Sequence, residues 1–416
     1  MTRRWRRGLA VSHLGDRLLR AAPWLLGASV VLRLAGSAAL YRTLFVDLHV
    51  YVSGGASLGS PRPLHDVYFV DGWGQHLPFT YPPFAAMLFA PLHFLPFAVL
   101  APCWIVASVA ALYGIVRTTQ RMIGGGDRRS ALLWTTAAMW FEPVRSCLDL
   151  GQVGIILTAA VLYAGYTSRS WLAGLLVGVA AGVKLTPAIT GLYFVGMRRW
   201  KSVAASAVVF LGTIVISALA LPVDTRRYFM EDLHQVKRVG LGGYVCNQSL
   251  LGAISRIVGH DVSLSAVLIS AVAVTAVLAT LAWRALGHGP HGRDALGSLL
   301  VVQLFGLLAS PISWTHHWIW VVPLVMWLFG GALHEHPGAR VFAWVWTALI
   351  VVGIPTLLSA VPSAEFSRPW YLAWSEAIYA PMTVATLIWI IVATWLPRHR
   401  STTAANAERG PQGALL

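Results

Sequence analysis

Long apolar runs recur along almost the whole chain, separated by short polar or basic breaks. Many runs reach about 17–25 residues, enough for an α-helix to cross a bilayer. Lys/Arg-rich breaks belong on the cytoplasmic side of a membrane. They occur at Arg3–Arg20, Arg117–Arg129, Arg169, Arg198-Arg199-Trp200-Lys201, Arg284–Arg293, Arg340 and Arg398–Arg400. Between consecutive clusters the chain must cross an even number of times. Crossings near 21–41, 98–117, 131–147, 151–167, 202–221, 263–285, 296–311, 317–331, 341–360 and 378–396 satisfy this. The stretch 171–197 is interrupted by Lys184-Leu185-Thr186-Pro187, and both its ends look cytoplasmic. It is read as two short helices meeting near Lys184, for about twelve membrane helices in all.

The predicted fold class is therefore an all-α polytopic integral membrane protein. Residues 1–20 form a basic cytoplasmic N-terminus and 21–397 a single transmembrane domain. Residues 398–416 read as a disordered cytoplasmic tail. Composition agrees: 57% of residues are hydrophobic, 11% are charged, and mean hydropathy is +0.66. The 19 tryptophans suit membrane–water interfaces. The net charge of +15 is a topology signal, since its arginines lie between apolar runs, and is not a nucleic-acid footprint. The basic start is no signal peptide, because the first apolar run arrives late, contains Arg33 and has no cleavage site. Cys103, Cys147 and Cys246 have no metal-ligand spacing and are read as packing residues.

The same parity places the loops 42–96, 222–262 and 361–377 on the outer face. The turns at Leu148–Gly151, near Lys184 and at Ser310–His317 fall there too. Most of the unusual polar residues lie on that side. A site facing away from the cytoplasm has no nucleotide supply, so the donor of a group-transfer reaction there should be lipid-linked.

Acids are scarce, 16 Asp and Glu against 31 Lys and Arg. A carboxylate at a bilayer boundary is costly unless it meets water, a partner or a substrate. Asp47, just past the first apolar run, is accordingly either a catalytic base or a helix cap. The loop after it carries proline pairs and aromatics around Tyr81-Pro82-Pro83, a surface on which sugar rings stack. In Ser310-Pro311-Ile312-Ser313-Trp314-Thr315-His316-His317, adjacent histidines open a membrane helix. They read as partners of a phosphate or of the catalytic carboxylate, as structural interface residues, or as metal ligands. Adjacent helical residues point about 100° apart, which disfavours the last. Glu142, Arg145 and Asp149 stand at spacings that allow neutralising pairs on one helix face. Lys184 interrupts an apolar stretch, so it snorkels outward or meets an anion such as a lipid phosphate. Asn247-Gln248-Ser249 caps the following helix or bonds sugar hydroxyls, and it also matches a weak glycosylation sequon.

Taken in order, six short motifs form a set. They are Asp47-Leu48-His49-Val50-Tyr51, Tyr81-Pro82-Pro83, Gly151-Gln152, Lys184-Leu185-Thr186-Pro187, Asn247-Gln248-Ser249 and Ser310-Pro311-Ile312-Ser313-Trp314 with His316-His317. Across about residues 25–395 the set resembles the polyprenol-phosphate-mannose-dependent mannosyltransferases of mycobacteria, GT-C-type membrane glycosyltransferases. The resemblance implies a GT-C-like fold with a structured first outer loop, in the plasma membrane with both termini cytoplasmic. It implies an inverting transfer of mannose from polyprenol-phosphate-mannose to a mannosylated glycolipid, with no cofactor and no metal. Asp47 matches the family's catalytic base. His316, His317, Lys184 and Arg145 become the candidates for the donor phosphate. His49, Tyr51, Tyr81, Gln152, Asn247, Gln248 and Trp314 become those for sugar or acceptor.

An α-(1→2)-phosphatidylinositol mannoside transferase is favoured over one that branches lipomannan or lipoarabinomannan. The rivals are a GT-C enzyme using another lipid-linked sugar, such as arabinose, and a lipid-linked sugar transporter. Transporters usually show internal repeats and polar residues at the bilayer midplane, and neither is evident here. Membrane lipids are the expected surroundings, and the sequence is silent on oligomeric state.

Overall fold

The computed structural model describes residues 13–39, 45–71, 74, 76–235, 238–287, 293–361 and 366–395. The 398–416 tail and most of the 1–20 segment lie outside the described residues. Helix α1 spans His13–Ala39 and α2 Val46–Ala56. A two-stranded antiparallel hairpin follows, β1 Tyr68–Val70 with β2 His76–Pro78, then α3 Pro83–Phe89. Next come α4 Phe97–Met122, α5 Arg128–Ala138, α6 Glu142–Leu150, α7 Gly154–Tyr166, α8 Ser170–Val183, α9 Thr190–Gly196, α10 Trp200–Ala220 and α11 Pro222–Met230. The C-terminal half holds α12 Leu250–Val258, α13 Ala266–Ala285, α14 Ala295–Ala309, α15 Val321–Gly330, α16 Ala339–Val352, α17 Ile354–Ser359, α18 Trp370–Glu376 and α19 Tyr379–Trp395.

Among the described residues, five helical stretches are long and apolar enough to cross a membrane: Gly15–Ser37, Phe97–Met122, Trp200–Ala220, Ala266–Ala285 and Ala339–Ser359. A sixth is the pair α18–α19, bent by 61°. The expected total of about twelve also counted shorter helices, two of them meeting near Lys184. Polar residues and prolines break the other runs. The expected crossing 131–147 is interrupted between α5 and α6, and 317–331 begins as a 3-10 turn, Thr315–Trp320. The stretch 171–197 divides at Lys184 into α8, a 3-10 turn and α9.

Side chains facing outward from the long helices are apolar, as lipid-facing surfaces require. Trp24 on α1 and Leu219 on α10 are each 81% exposed. The interior is aromatic, with Trp318, Trp327, Trp346, Tyr51 and Tyr379 fully enclosed. Helices α8 and α10 approach backbone to backbone. A Cβ added at Gly174, Gly178 or Gly182 would lie within 2.3–2.6 Å of Ala205, Val209 or Thr213. Small residues four apart permit this approach in membranes, where dispersion replaces the hydrophobic drive. The close pair fixes the end of α8, and with it Lys184.

Candidate active site

Asp47 lies in the first turn of α2. The residue before it, Phe45, adopts a left-handed backbone conformation (φ 61°), unfavourable for a side chain of its size. Two interactions hold it there: its amide donates to the Asp149 carbonyl at 2.7 Å, and its ring is buried. Gly151, also left-handed (φ 68°), ends α6 with its Cα against Leu48 and Phe45. A Cβ there would sit 2.7 Å from Leu48 Cβ. This stitching sets Asp47 beside the next residue, Gln152.

Gln152 organises this end of the site. Its Oε1 accepts from the Tyr51 hydroxyl at 2.9 Å and the Tyr81 hydroxyl at 3.2 Å. Its amide is thereby turned toward Asp47, whose ionised form it favours. Tyr51, one helical turn beyond Asp47, is enclosed, and its hydroxyl lies 3.0 Å from that of Tyr81. Burial pushes the Asp47 carboxyl up to about 6, while Gln152 and the Lys184 ammonium act to lower it. His49 points elsewhere, stacked between Phe97 (3.8 Å between centroids) and Phe69 (4.7 Å).

Lys184 terminates α8 in an extended conformation. Its Nζ lies 2.8 Å from His317 Nε2 and 5.6 Å from the centre of the Tyr81 ring. An ammonium only donates, so His317 is the neutral acceptor of this bond. His316 packs edge-on to His317, and its buried Nε2 has no partner. Lys184, Ser313, His316 and His317 form a polar border of a groove of about 380 Å³. Leu157, Val161, Ile189 and Leu307 are among its apolar walls. Asp47 does not line this groove. Lys184 joins the two, lining the groove and acting electrostatically on Asp47.

Other predicted residues fall outside this cluster. Arg145 is absent from the groove, and the expected neutralising pairs within α6 do not form. Asp149 pairs with Arg33 at 2.7 Å, and Glu142 accepts from the Thr356 amide (2.9 Å), the Thr356 hydroxyl and the Tyr379 hydroxyl. Asn247 is wholly buried, which closes the glycosylation sequon to any enzyme. Its Nδ2 donates to the carbonyls of Gly242 (2.7 Å) and Pro311 (3.1 Å). Its Oδ1 accepts from the amides of Ser313 (2.9 Å) and Ser249 (3.2 Å). Gln248 donates to Val245 and Glu376 carbonyls and accepts from the Tyr379 amide. Ser249 caps α12, and Trp314 packs against Tyr244. These residues pin the 310–314 turn that delivers both histidines.

Sequence reasoning missed the brace behind that turn. Arg256 donates to the carbonyls of Tyr244 (2.8 Å) and Asn247 (2.9 Å), with its Nε 3.8 Å from Glu376. Arg368 meets the same buried carboxylate at 2.9 Å. The available signal was an arginine inside the apolar stretch 250–258 and a glutamate at the head of the last apolar run. Among the described residues, no group of three or more His, Cys, Asp or Glu side chains is placed to hold a metal ion.

Comparison with known proteins bears on this geometry. Residues 79–311 match the model of glycosyltransferase family 87. That stretch contains Gln152, Lys184 and Asn247 and stops short of Asp47 and the histidine pair. The polyprenol-phosphate-mannose-dependent alpha-(1-2)-phosphatidylinositol pentamannoside mannosyltransferase of Mycolicibacterium smegmatis is 52% identical, over 90% of this chain and 92% of that protein. A protein of the same description from Mycobacterium tuberculosis is also 52% identical, over 94% of this chain and 91% of its own length. A polyprenol-phosphate-mannose-dependent alpha-(1-2)-phosphatidylinositol mannoside mannosyltransferase of Mycobacterium tuberculosis is 29% identical over 98% and 97% of the two chains. No solved structure matches the chain.

Proposed function

The chain belongs to glycosyltransferase family 87, and from that premise we propose that it moves mannose from polyprenol-phosphate-mannose onto a phosphatidylinositol mannoside in an α-(1→2) linkage. The observation that carries this reading is the junction at Lys184, with a carboxylate on one side and a cation-bordered apolar groove on the other. A groove with apolar walls and a cationic border suits a phosphorylated isoprenoid.

The chemistry is a single displacement. The acceptor hydroxyl gives its proton to Asp47 as its oxygen bonds to the anomeric carbon. The bond from that carbon to the phosphate oxygen breaks, and the electron pair leaves with the polyprenyl phosphate. A β-linked donor therefore yields an α-linked product. Asp47 ionises near neutrality, as a general base should. Lys184, oriented by His317, keeps N–H groups for the departing phosphate, and His316 Nε2 is a further donor. Preorganised donors of this kind stabilise developing charge without reorganising. Asp47 then releases its proton to water.

The site faces the outer leaflet, with both termini cytoplasmic, as the arginine distribution directs. A GT-C-like architecture of about twelve crossings would count short apolar helices such as α7, α8 and α14 beside the long ones. Residues 21–397 act as one catalytic domain. The test is transfer of radiolabelled mannose by purified protein with EDTA present, offering tetra- and pentamannosides of phosphatidylinositol and an unbranched lipomannan. Label on a phosphatidylinositol mannoside is the expected result. Label on lipomannan alone, or on no acceptor, overturns the acceptor or donor assignment respectively.

A further inference from the structure

Arg145 stands apart from the donor groove, and its surroundings ask for an anion. It sits on α6 one turn before Asp149, acts electrostatically on Asp149, Arg33 and Tyr379, and brings its Nη2 close to Gly353 between α16 and α17. Arg33 reaches Asp149 at 2.7 Å, lies over the Trp140 ring at 4.9 Å and donates to the Met139 carbonyl. Asp149 is thus already committed to Arg33. Glu142, the other carboxylate of the helix, is saturated by Thr356 and Tyr379. The Arg145 guanidinium, half-buried, makes no hydrogen bond or ion pair among the described residues. Its nitrogens are not among the fully buried polar atoms that lack partners, so they are open to a ligand from outside the protein.

The location narrows the ligand. No groove-lining residue comes from α1 or α6, so the donor phosphate is handled elsewhere. Yet the cluster adjoins Asp47, because the Phe45 amide binds the Asp149 carbonyl where α6 ends and α2 begins. Trp140 is 42% exposed and Arg33 lies near the end of the first membrane helix, a depth where lipid headgroups lie. A planar guanidinium matches two oxygens of a phosphodiester in a bidentate bond.

We propose that Arg145, backed by the Arg33–Asp149 pair and Trp140, binds a lipid phosphodiester on the acceptor side of Asp47. This rests on the mannosyltransferase reading above. The phosphodiester belongs to the phosphatidylinositol of the acceptor itself or to a neighbouring phospholipid, and the chemistry is the same.

The experiment compares wild type, Arg145→Gln and Arg145→Lys in phospholipid-free dodecyl maltoside micelles, with and without added phosphatidylcholine. Two acceptors are offered: a phosphatidylinositol tetramannoside and octyl α-mannoside, which has no phosphodiester. If the acceptor supplies the anion, Arg145→Gln raises KM for the lipid acceptor about tenfold more than KM for the octyl mannoside. The rate at saturation then changes little, and Arg145→Lys recovers part of the loss. If a neighbouring lipid supplies it, both acceptors suffer, and only in micelles containing phosphatidylcholine. No change, or an equal loss for both acceptors with and without phospholipid, overturns the proposal. Native mass spectrometry of phosphatidylinositol bound to wild type and Arg145→Gln reads the site without turnover. Inactive wild type that retains this lipid through Arg145 would therefore condemn the mannosyltransferase reading and spare the anion site.

Discussion

Two polar regions of this molecule are similar in composition and opposite in bonding. Around Asn247 and Gln248, backbone groups take up the side-chain amides, while Glu376 behind them is held by ion pairs to Arg256 and Arg368 and not by hydrogen bonds. Around Lys184 the valences are incomplete. Among the described residues Lys184 has one hydrogen-bond partner and His316 Nε2 none, and Asp47 keeps part of its surface. A satisfied buried network rigidifies its surroundings, whereas unsatisfied donors beside a cavity are costly unless something binds them. The contrast teaches that polar residues at the end of a membrane bundle divide into those that hold the site and those that perform its chemistry. Bonding separates them where residue type does not.

The largest expected effect tests the open side. Asp47→Asn should reduce mannose transfer by at least about 10²–10⁴-fold with the fold retained, because the amide cannot take the acceptor proton. Near-normal initial rates in this variant would remove Asp47 from the mechanism. His316→Ala should lower the transfer rate by about 10²–10³-fold through lost stabilisation of the leaving phosphate. If it instead lowers the melting temperature and spares the rate, His316 belongs with the holding residues.

Asn247→Ala sharpens the other half of the comparison. It strands the Gly242 carbonyl and the amides of Ser249 and Ser313, at about 1–3 kcal/mol each. Thermal unfolding in detergent should show a clear loss of stability. The rate per folded molecule should fall far less than in Asp47→Asn.

The smallest effect is set by pH. The base must be ionised, so kcat/KM should rise with pH through about 6 and then level off. Stability runs the other way. The folded chain holds the Asp47 proton more tightly than the unfolded chain, so this group's contribution declines as pH rises from about 4 to about 6. Asp47→Asn should therefore melt at a higher temperature than wild type at pH 8, with the difference vanishing near pH 4.

Much of the architecture was legible because a bilayer demands long apolar helices, and their length and charge flanks are local properties of sequence. The break at Lys184 was visible for the same reason: a lysine and a proline inside an apolar run cannot continue it unnoticed. Less legible were the breaks inside expected crossings, since α5–α6 and the Thr315–Trp320 turn are interruptions that hydropathy smooths over. In the candidate site, Asp47, Gln152, Lys184 and the histidines stood out as polar residues between apolar runs. Asn247 and Gln248 stood out equally, for a different physical reason.

By itself, the sequence determined the membrane class, the helical content, and a short set of polar residues too expensive to be incidental. Only the tertiary structure decided what each residue faces. It turned Gln152 toward Asp47 and paired Lys184 with His317. It also consumed Asn247 in backbone bonds, stacked His49 between phenylalanines and left the Arg145 side chain without a hydrogen bond among the described residues. The reason is that helix formation depends on neighbours a few positions away. Hydrogen-bond satisfaction, in contrast, depends on groups more than a hundred residues distant, such as Lys184 and His317 at a separation of 133.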